Sequence, residues 1–205
     1  GRIAQLIIGK HAASLDYRVA EHFTENWELD REYLGNEMFR PSGTTPGHWL
    51  EWARLLYQLW ILGHKSESWL TGAARQLFRR SVELGWDKTY GGFFYTLDWD
   101  NNPKMREKLW WPVCEAIGAA AFLTNFDRDP YFEIWYRRFW DFAANHLIDH
   151  ENSGWRPELK EDLTPTERLF RGKPDIYHAV QACLIPLFPT NGSITHAIIE
   201  TGKRR

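Results

Sequence analysis

His48 and Glu51 stand three residues apart in FRPSGTTPGHWLEWARLL, residues 39–56, just inside the start of an apolar-periodic run. At i and i+3 of a helix both side chains project from one face, where they can share a bound group. Thr45 has the chemistry of an N-cap and Pro46 suits the first helical position, so His48 falls in the first turn. A helix N-terminus disfavours positive charge, which predicts a histidine of lowered pKa, neutral and able to accept a proton. That is the state a general base requires. Most histidines are satisfied core or surface residues. A purely capping role, however, would favour a carboxylate or amide here over an imidazole.

Two other helix starts carry similar groups. In KLWWPVCEAIGAA, Pro112 is expected to open a helix with Glu115 three residues on; in GKPDIYHAVQACL, Asp175 follows Lys173-Pro174 and His178 ends the first turn. Pro46, Pro112 and Pro174 are 66 and 62 residues apart, a period that holds one inward and one outward helix. Stacked helix pairs of this kind build either an open solenoid or a closed α/α toroid. The toroid is favoured, because first-turn proton donors and acceptors of like-pointing inner helices would then converge at one mouth of the cavity.

Six helices follow from apolar spacing: 3–23, 49–62, 69–84, 113–126, 131–147 and 176–188. The alternation Phe93, Tyr95, Leu97, Trp99, between Gly91-Gly92 and Asp100-Asn101-Asn102-Pro103, predicts a short β-hairpin or an extended excursion. The loop at 149–167 has the same character, with Gly154-Trp155 matching Gly92-Phe93. Its acidic run 158–162 is expected to face solvent.

A chain of 205 residues with 43% hydrophobic content can bury one good-sized core. Formal charge is −2 and the charges are interspersed, so neither a nucleic-acid footprint nor a polybasic membrane patch is present. The basic pairs Arg79-Arg80 and Arg137-Arg138, and Lys203-Arg204-Arg205, are too short to argue otherwise. Cys114 and Cys183 both fall in apolar helical patterns, which predicts buried, reduced thiols and a cytoplasmic setting. No transmembrane run or signal peptide is expected, although a chain that begins with Gly can be a processed or partial one. Twelve Trp, twelve Phe and eight Tyr supply rings that either fill the space between helices or stack on sugar faces. His64, His146, His150 and His196 are expected at solvated helix ends or loops. Asp98, Asp100 and Asn101 lack the glycine and terminal glutamate of a calcium loop.

The three blocks FRPSGTTPGHWLEWARLL, KLWWPVCEAIGAA and GKPDIYHAVQACL resemble the signature blocks of the N-acylglucosamine 2-epimerase superfamily, in order and over nearly the whole chain. GKPDIYHA is most similar to its aldose–ketose isomerase branch, the mannose and sulfoquinovose isomerases. The resemblance implies an (α/α)6 barrel, a monosaccharide substrate and no metal or other cofactor. It implies that His48, His178 and Glu51 are catalytic, and that Arg40, Trp110, Trp111 and Glu115 bind the sugar. Its implied reaction is isomerisation between an aldose and its 2-ketose through a cis-enediol. Glu51 would orient His48 or protonate the ring oxygen. A 2-epimerase of the same superfamily, or a non-catalytic carbohydrate-binding module, are the alternatives.

The family's barrels have about twice this many helices, so the six correspond to a C-terminal half. His11 and His22, placed in the first helix, do not match the family's further histidine. The chain is expected to be one α/α-toroid domain or half of one. It would then either form a homo-oligomer or pair with a missing N-terminal half.

Overall fold

The computed structural model describes residues 1–188 and 192–203. Helix α1 begins as Arg2–Ala4 and continues through Gln5–Ala12 in wide i→i+5 turns. Next come α2 (Pro46–Leu62), α3 (Ser68–Arg80, continuing as Ser81–Gly85) and α4 (Trp110–Phe126). The rest are α5 (Pro130–Phe142, continuing as Ala143–Leu147), α6 (Ile176–Leu184, with a tighter turn Ile185–Leu187) and α7 (Ile194–Gly202).

The inner row is α2, α4 and α6. Helix α4 lies in the middle, packed on α2 and α6, while α3 backs α2 and α5 backs α4. Its sequence WWPVCEAIGAAAFLTNF is apolar all round, as a helix enclosed on every side must be. Residues 110–123 are accordingly all buried. Between α3 and α5 the filling is aromatic: Phe78 meets Phe132 edge-on at 5.3 Å, and Trp86 meets Phe142 at 5.5 Å.

Three two-stranded antiparallel ribbons connect the helices. Strands β1 (Gly35–Asn36) and β2 (Arg40–Pro41) pair, as do β3 (Thr96–Leu97) and β4 (Pro103–Met105), the expected hairpin. Strands β5 (Lys108–Leu109) and β6 (Glu158–Leu159) pair in the register Lys108↔Leu159 and lead directly into α4. The two Gly-aromatic loops match atom for atom. Asp87 N donates to Gly92 O and Asp149 N to Gly154 O, both at 2.9 Å. Each aspartate also takes a lysine, Lys108 at 2.8 Å and Lys173 at 2.5 Å. Gly92 has φ 74°, and a Cβ there would lie 2.6 Å from the Phe142 ring, so only glycine fits this turn.

Several expectations change. The first helix does not reach Phe23: Asp16 and Tyr17 adopt φ 55° and 58°, and the chain then runs extended, with Ala20 bridging Thr44 and Phe23 bridging Leu29. Helix α4 opens at Trp110, ahead of Pro112, because the β5–β6 ribbon delivers it there. Thr45 supplies the cap position but its hydroxyl makes no cap bond. Cys114 is buried and Cys183 exposed. Glu158 is fully buried, because its Oε2 accepts the backbone N–H groups of Leu169 and Phe170 at 2.7 and 3.0 Å. Helix α7 lay outside the six expected. Arg204 and Arg205 lie outside the described residues.

Candidate active site

Helices α2, α4 and α6 all present their N-terminal ends to one cavity of about 370 Å³, inside the range of small-molecule sites. His48 and Glu51 enter it from α2, Trp110 and Trp111 from α4, and Tyr177 and His178 from α6; Phe39 and Phe170 complete its wall. His48 and His178 occupy the third position of their helices. The Trp111 ring sits against both imidazoles, 4.8 Å from His48 and 5.8 Å from His178.

Each histidine is held through Nδ1 by a carboxylate. His48 Nδ1 lies 3.0 and 2.9 Å from the two oxygens of Glu21. His178 Nδ1 lies 2.9 Å from Glu115 Oε1. Each Nε2 is thereby left to the cavity. Glu115 also accepts from Arg54 Nε at 2.7 Å and from Gln181 at 3.1 Å. Arg54 reaches on to Gln58 at 2.8 Å and to Glu51 at 3.6 Å.

The electrostatics correct the expectation for His48. Burial works against its charged form, but Glu21, with Glu51 and Glu115 farther off, outweighs burial and holds its pKa above the ordinary histidine value. Glu51 is also raised, by burial and by the charge of Glu115, against the pull of Arg54. Glu115 is held below the usual carboxylate range: burial favours its acid form, but the His178 hydrogen bond and Arg54 prevail.

Of the seven residues singled out in the sequence, His48, Glu51, Trp110, Trp111 and His178 line the cavity together. Glu115 does not. With α4 starting at Trp110, Glu115 falls in the second turn, wholly buried beneath His178, its Oε1 on the imidazole Nδ1 and off the cavity lining. Arg40 lies on β2, exposed and off the cavity lining, although its neighbour Phe39 reaches in. The carboxylate in contact with His48 Nδ1 is that of Glu21, not Glu51. Sequence reading missed Glu21 because no glycine or proline marks the end of α1. Arg54 carried a signal: it is a charge inside the buried row Leu50, Ala53, Arg54, Tyr57 of α2. A larger hollow of about 510 Å³ opens near residues 149–173, but Arg156 and Lys173 there are already paired with Asp149.

Parallel inner helices, α2 backed by α3 and α4 by α5, with carboxylate-held histidines in the first turns of α2 and α6, define a protein of the α/α-barrel type. The chain belongs to the N-acylglucosamine 2-epimerase family, whose model matches residues 1–182. It is 42% identical over 204 residues to a D-mannose isomerase of Pseudomonas cannabina pv. alisalensis, across 96% of this chain and 49% of the relative. It is 41% identical over 207 residues to a D-mannose isomerase of Thermobifida fusca, across 98% of this chain and 51% of the relative. A crystal structure of D-mannose isomerase superposes with a TM-score of 0.81 at 31% identity, over 90% of this chain and 48% of that one. A cellobiose 2-epimerase from Spirochaeta thermophila shares the fold, with a TM-score of 0.67 at 18% identity, covering 95% of this chain and 50% of the other. The chain thus spans about half the length of the relatives it matches. Among the described residues, no helix is long and apolar enough to cross a membrane, and no group of three or more His, Cys, Asp or Glu is placed to hold a metal ion.

Proposed function

We propose that this chain supplies the proton-transfer machinery of a sugar isomerase that interconverts an aldose and its 2-ketose, of the mannose–fructose type. The observation that carries the reading is the pair of carboxylate-held histidines, His48 and His178, on one aromatic-walled cavity. The likeness to D-mannose isomerases supports mannose over sulfoquinovose as the substrate.

The chemistry needs little more than two such groups. With the sugar ring open, one imidazole Nε2 takes the proton from C2, the C1–C2 enediol forms, and a proton is returned to C1 while another passes from O2 to O1. Atoms and electrons balance without any oxidant. Each positioned acid–base group contributes roughly 10² to 10⁴ in rate. His48 and His178 share these transfers. Glu51, whose raised pKa favours its protonated form, can protonate the ring oxygen as the ring opens. Trp110 and Trp111 offer ring faces to the sugar.

D-mannose, added to the protein with its barrel complete, tests this. Ketose should form, and in D₂O deuterium should enter the product carbon from solvent. Replacing His48 or His178 with Ala should abolish both while leaving the helical circular dichroism intact. Saturable mannose binding, followed by tryptophan fluorescence, without any turnover would favour the second reading, a carbohydrate-binding module; the half-length match to the relatives is the observation behind it.

A further inference from the structure

We propose that Glu21, on the extended segment between α1 and β1, is the positioning residue of His48: its carboxylate holds Nδ1 and so directs Nε2 into the cavity. This role rests on the acid–base reading of the site. Both carboxylate oxygens lie within hydrogen-bond reach of the ring nitrogen, at 3.0 and 2.9 Å. Glu21 is the more shielded partner, its side chain 11% exposed against 40% for His48.

The segment is held on both sides of Glu21. Ala20 bridges Thr44, and His22 stacks on Tyr33 at 3.5 Å with its Nε2 3.0 Å from Pro41 O. The carboxylate therefore meets the imidazole from a fixed direction, as preorganised acid–base chemistry requires.

The two histidine–carboxylate pairs differ in one respect. Glu115 divides its charge among His178, Arg54 and Gln181. Among the described residues, Glu21 has no Lys or Arg within ion-pair distance, so its full charge acts on His48. Other titratable groups surround His48: Glu51 on its own helix, Asp175, Tyr177 and His178 on α6 and Tyr95 beside β3 line the cavity, and Glu115 on α4 acts from beneath it. Among the described residues, only Glu21 touches a ring nitrogen of His48. When Nε2 takes a proton, the Nδ1–H···carboxylate bond becomes an ion pair. The proton taken at Nε2 stays on the imidazole, opposite the Glu21 carboxylate.

Histidine-selective NMR titration of this chain tests the proposal without any substrate. Glu21→Gln keeps an acceptor oxygen at the same reach but removes the charge. The proton affinity of His48 should fall about tenfold or more, while its neutral form keeps the proton on Nδ1. Glu21→Ala should lose that tautomer preference as well. Glu21→Asp, which restores the charge, should return the affinity toward that of the parent, and the His178 titration should stay in place throughout. In the active protein the acid limb of the kcat/KM profile should move to lower pH in Glu21→Gln by the same factor. An unmoved His48 titration in Glu21→Gln, or no recovery in Glu21→Asp, overturns the role of Glu21 and leaves the sugar reading standing. A moved titration in a protein that turns over no sugar overturns the function alone.

Discussion

Arg54 Nε donates to Glu115 Oε2 across 2.7 Å, in a place where both side chains are closed off from solvent. The pair links α2 to α4 directly beneath the cavity, and its carboxylate carries His178 on the other oxygen. Buried charges are tolerated when paired and become costly when one partner is removed.

Glu115→Gln should therefore destabilise the fold by about 3 kcal/mol, the lower end for a broken buried pair, because Gln58 and Glu51 still offer Arg54 partial compensation. The double replacement Arg54→Met, Glu115→Met should recover most of that loss, since no charge is then left buried. Urea unfolding of the three proteins checks both expectations. A single variant as stable as the parent would show that the pair carries no such role.

Lys108 and Asp87 form a second buried pair, at 2.8 Å, with the ammonium 3.7 Å above the Phe94 ring. Burial favours the acid form of Asp87, but Lys108 and the N–H groups of Thr89 and Tyr90 outweigh it, so its pKa lies below the usual carboxylate range. A folded-state pKa below the unfolded one gives stability that is present above about pH 3.9 and is lost as pH falls through the folded value. Lys108→Met should cost about 3 kcal/mol at neutral pH. It should also flatten the loss of stability below pH 4. Thermal melts across that range show whether the slope changes.

How far the sequence reveals this site depends on what local pattern can encode. The inner helices follow from apolar periodicity, Pro46 marks the start of α2, and His48 and His178 follow from their places in the first turn; Trp111 is singled out only by the family resemblance. Glu115 was found as a residue but placed one turn too high, because the helix start belongs to the β5–β6 ribbon, a pairing between segments about fifty residues apart. Glu21 was invisible for a related reason: two left-handed residues without glycine, Asp16 and Tyr17, end α1, and a bridge to Thr44 then decides where the segment goes. Glu158 reads as part of an exposed acidic run until the backbone of residues 169 and 170 folds over it.

Gly47 precedes His48, and a Cβ placed there would lie 2.5 and 2.6 Å from Cζ3 and Cη2 of Trp111. No Cβ fits at such distances, so Gly47→Ala must push the indole that packs against both imidazoles. Helical content should hold. Near-ultraviolet circular dichroism should change, and turnover in the active protein should fall by up to about 10²-fold, the scale of an ångström-sized misplacement. Unchanged turnover would mean that the place of Trp111 is immaterial to the reaction.

Both edges of the inner row expose apolar side chains. On α6 these are Ile176, Tyr177, Val180 and Leu187; on the other side Ile3, Leu55 and Leu62 are exposed around an apolar groove of about 420 Å³ that also involves Trp52 and Leu59. In a closed ring each inner helix has a neighbour on both sides, and contiguous apolar patches larger than a few hundred Å² generally seek partners. The 205-residue chain should accordingly dimerise or require a complementary half-ring. Ile176→Asp combined with Val180→Asp should weaken whichever association forms, because a carboxylate cannot enter an apolar interface without a partner. Light scattering decides the matter: a monodisperse 24.2 kDa species that unfolds cooperatively would show that these edges need no cover.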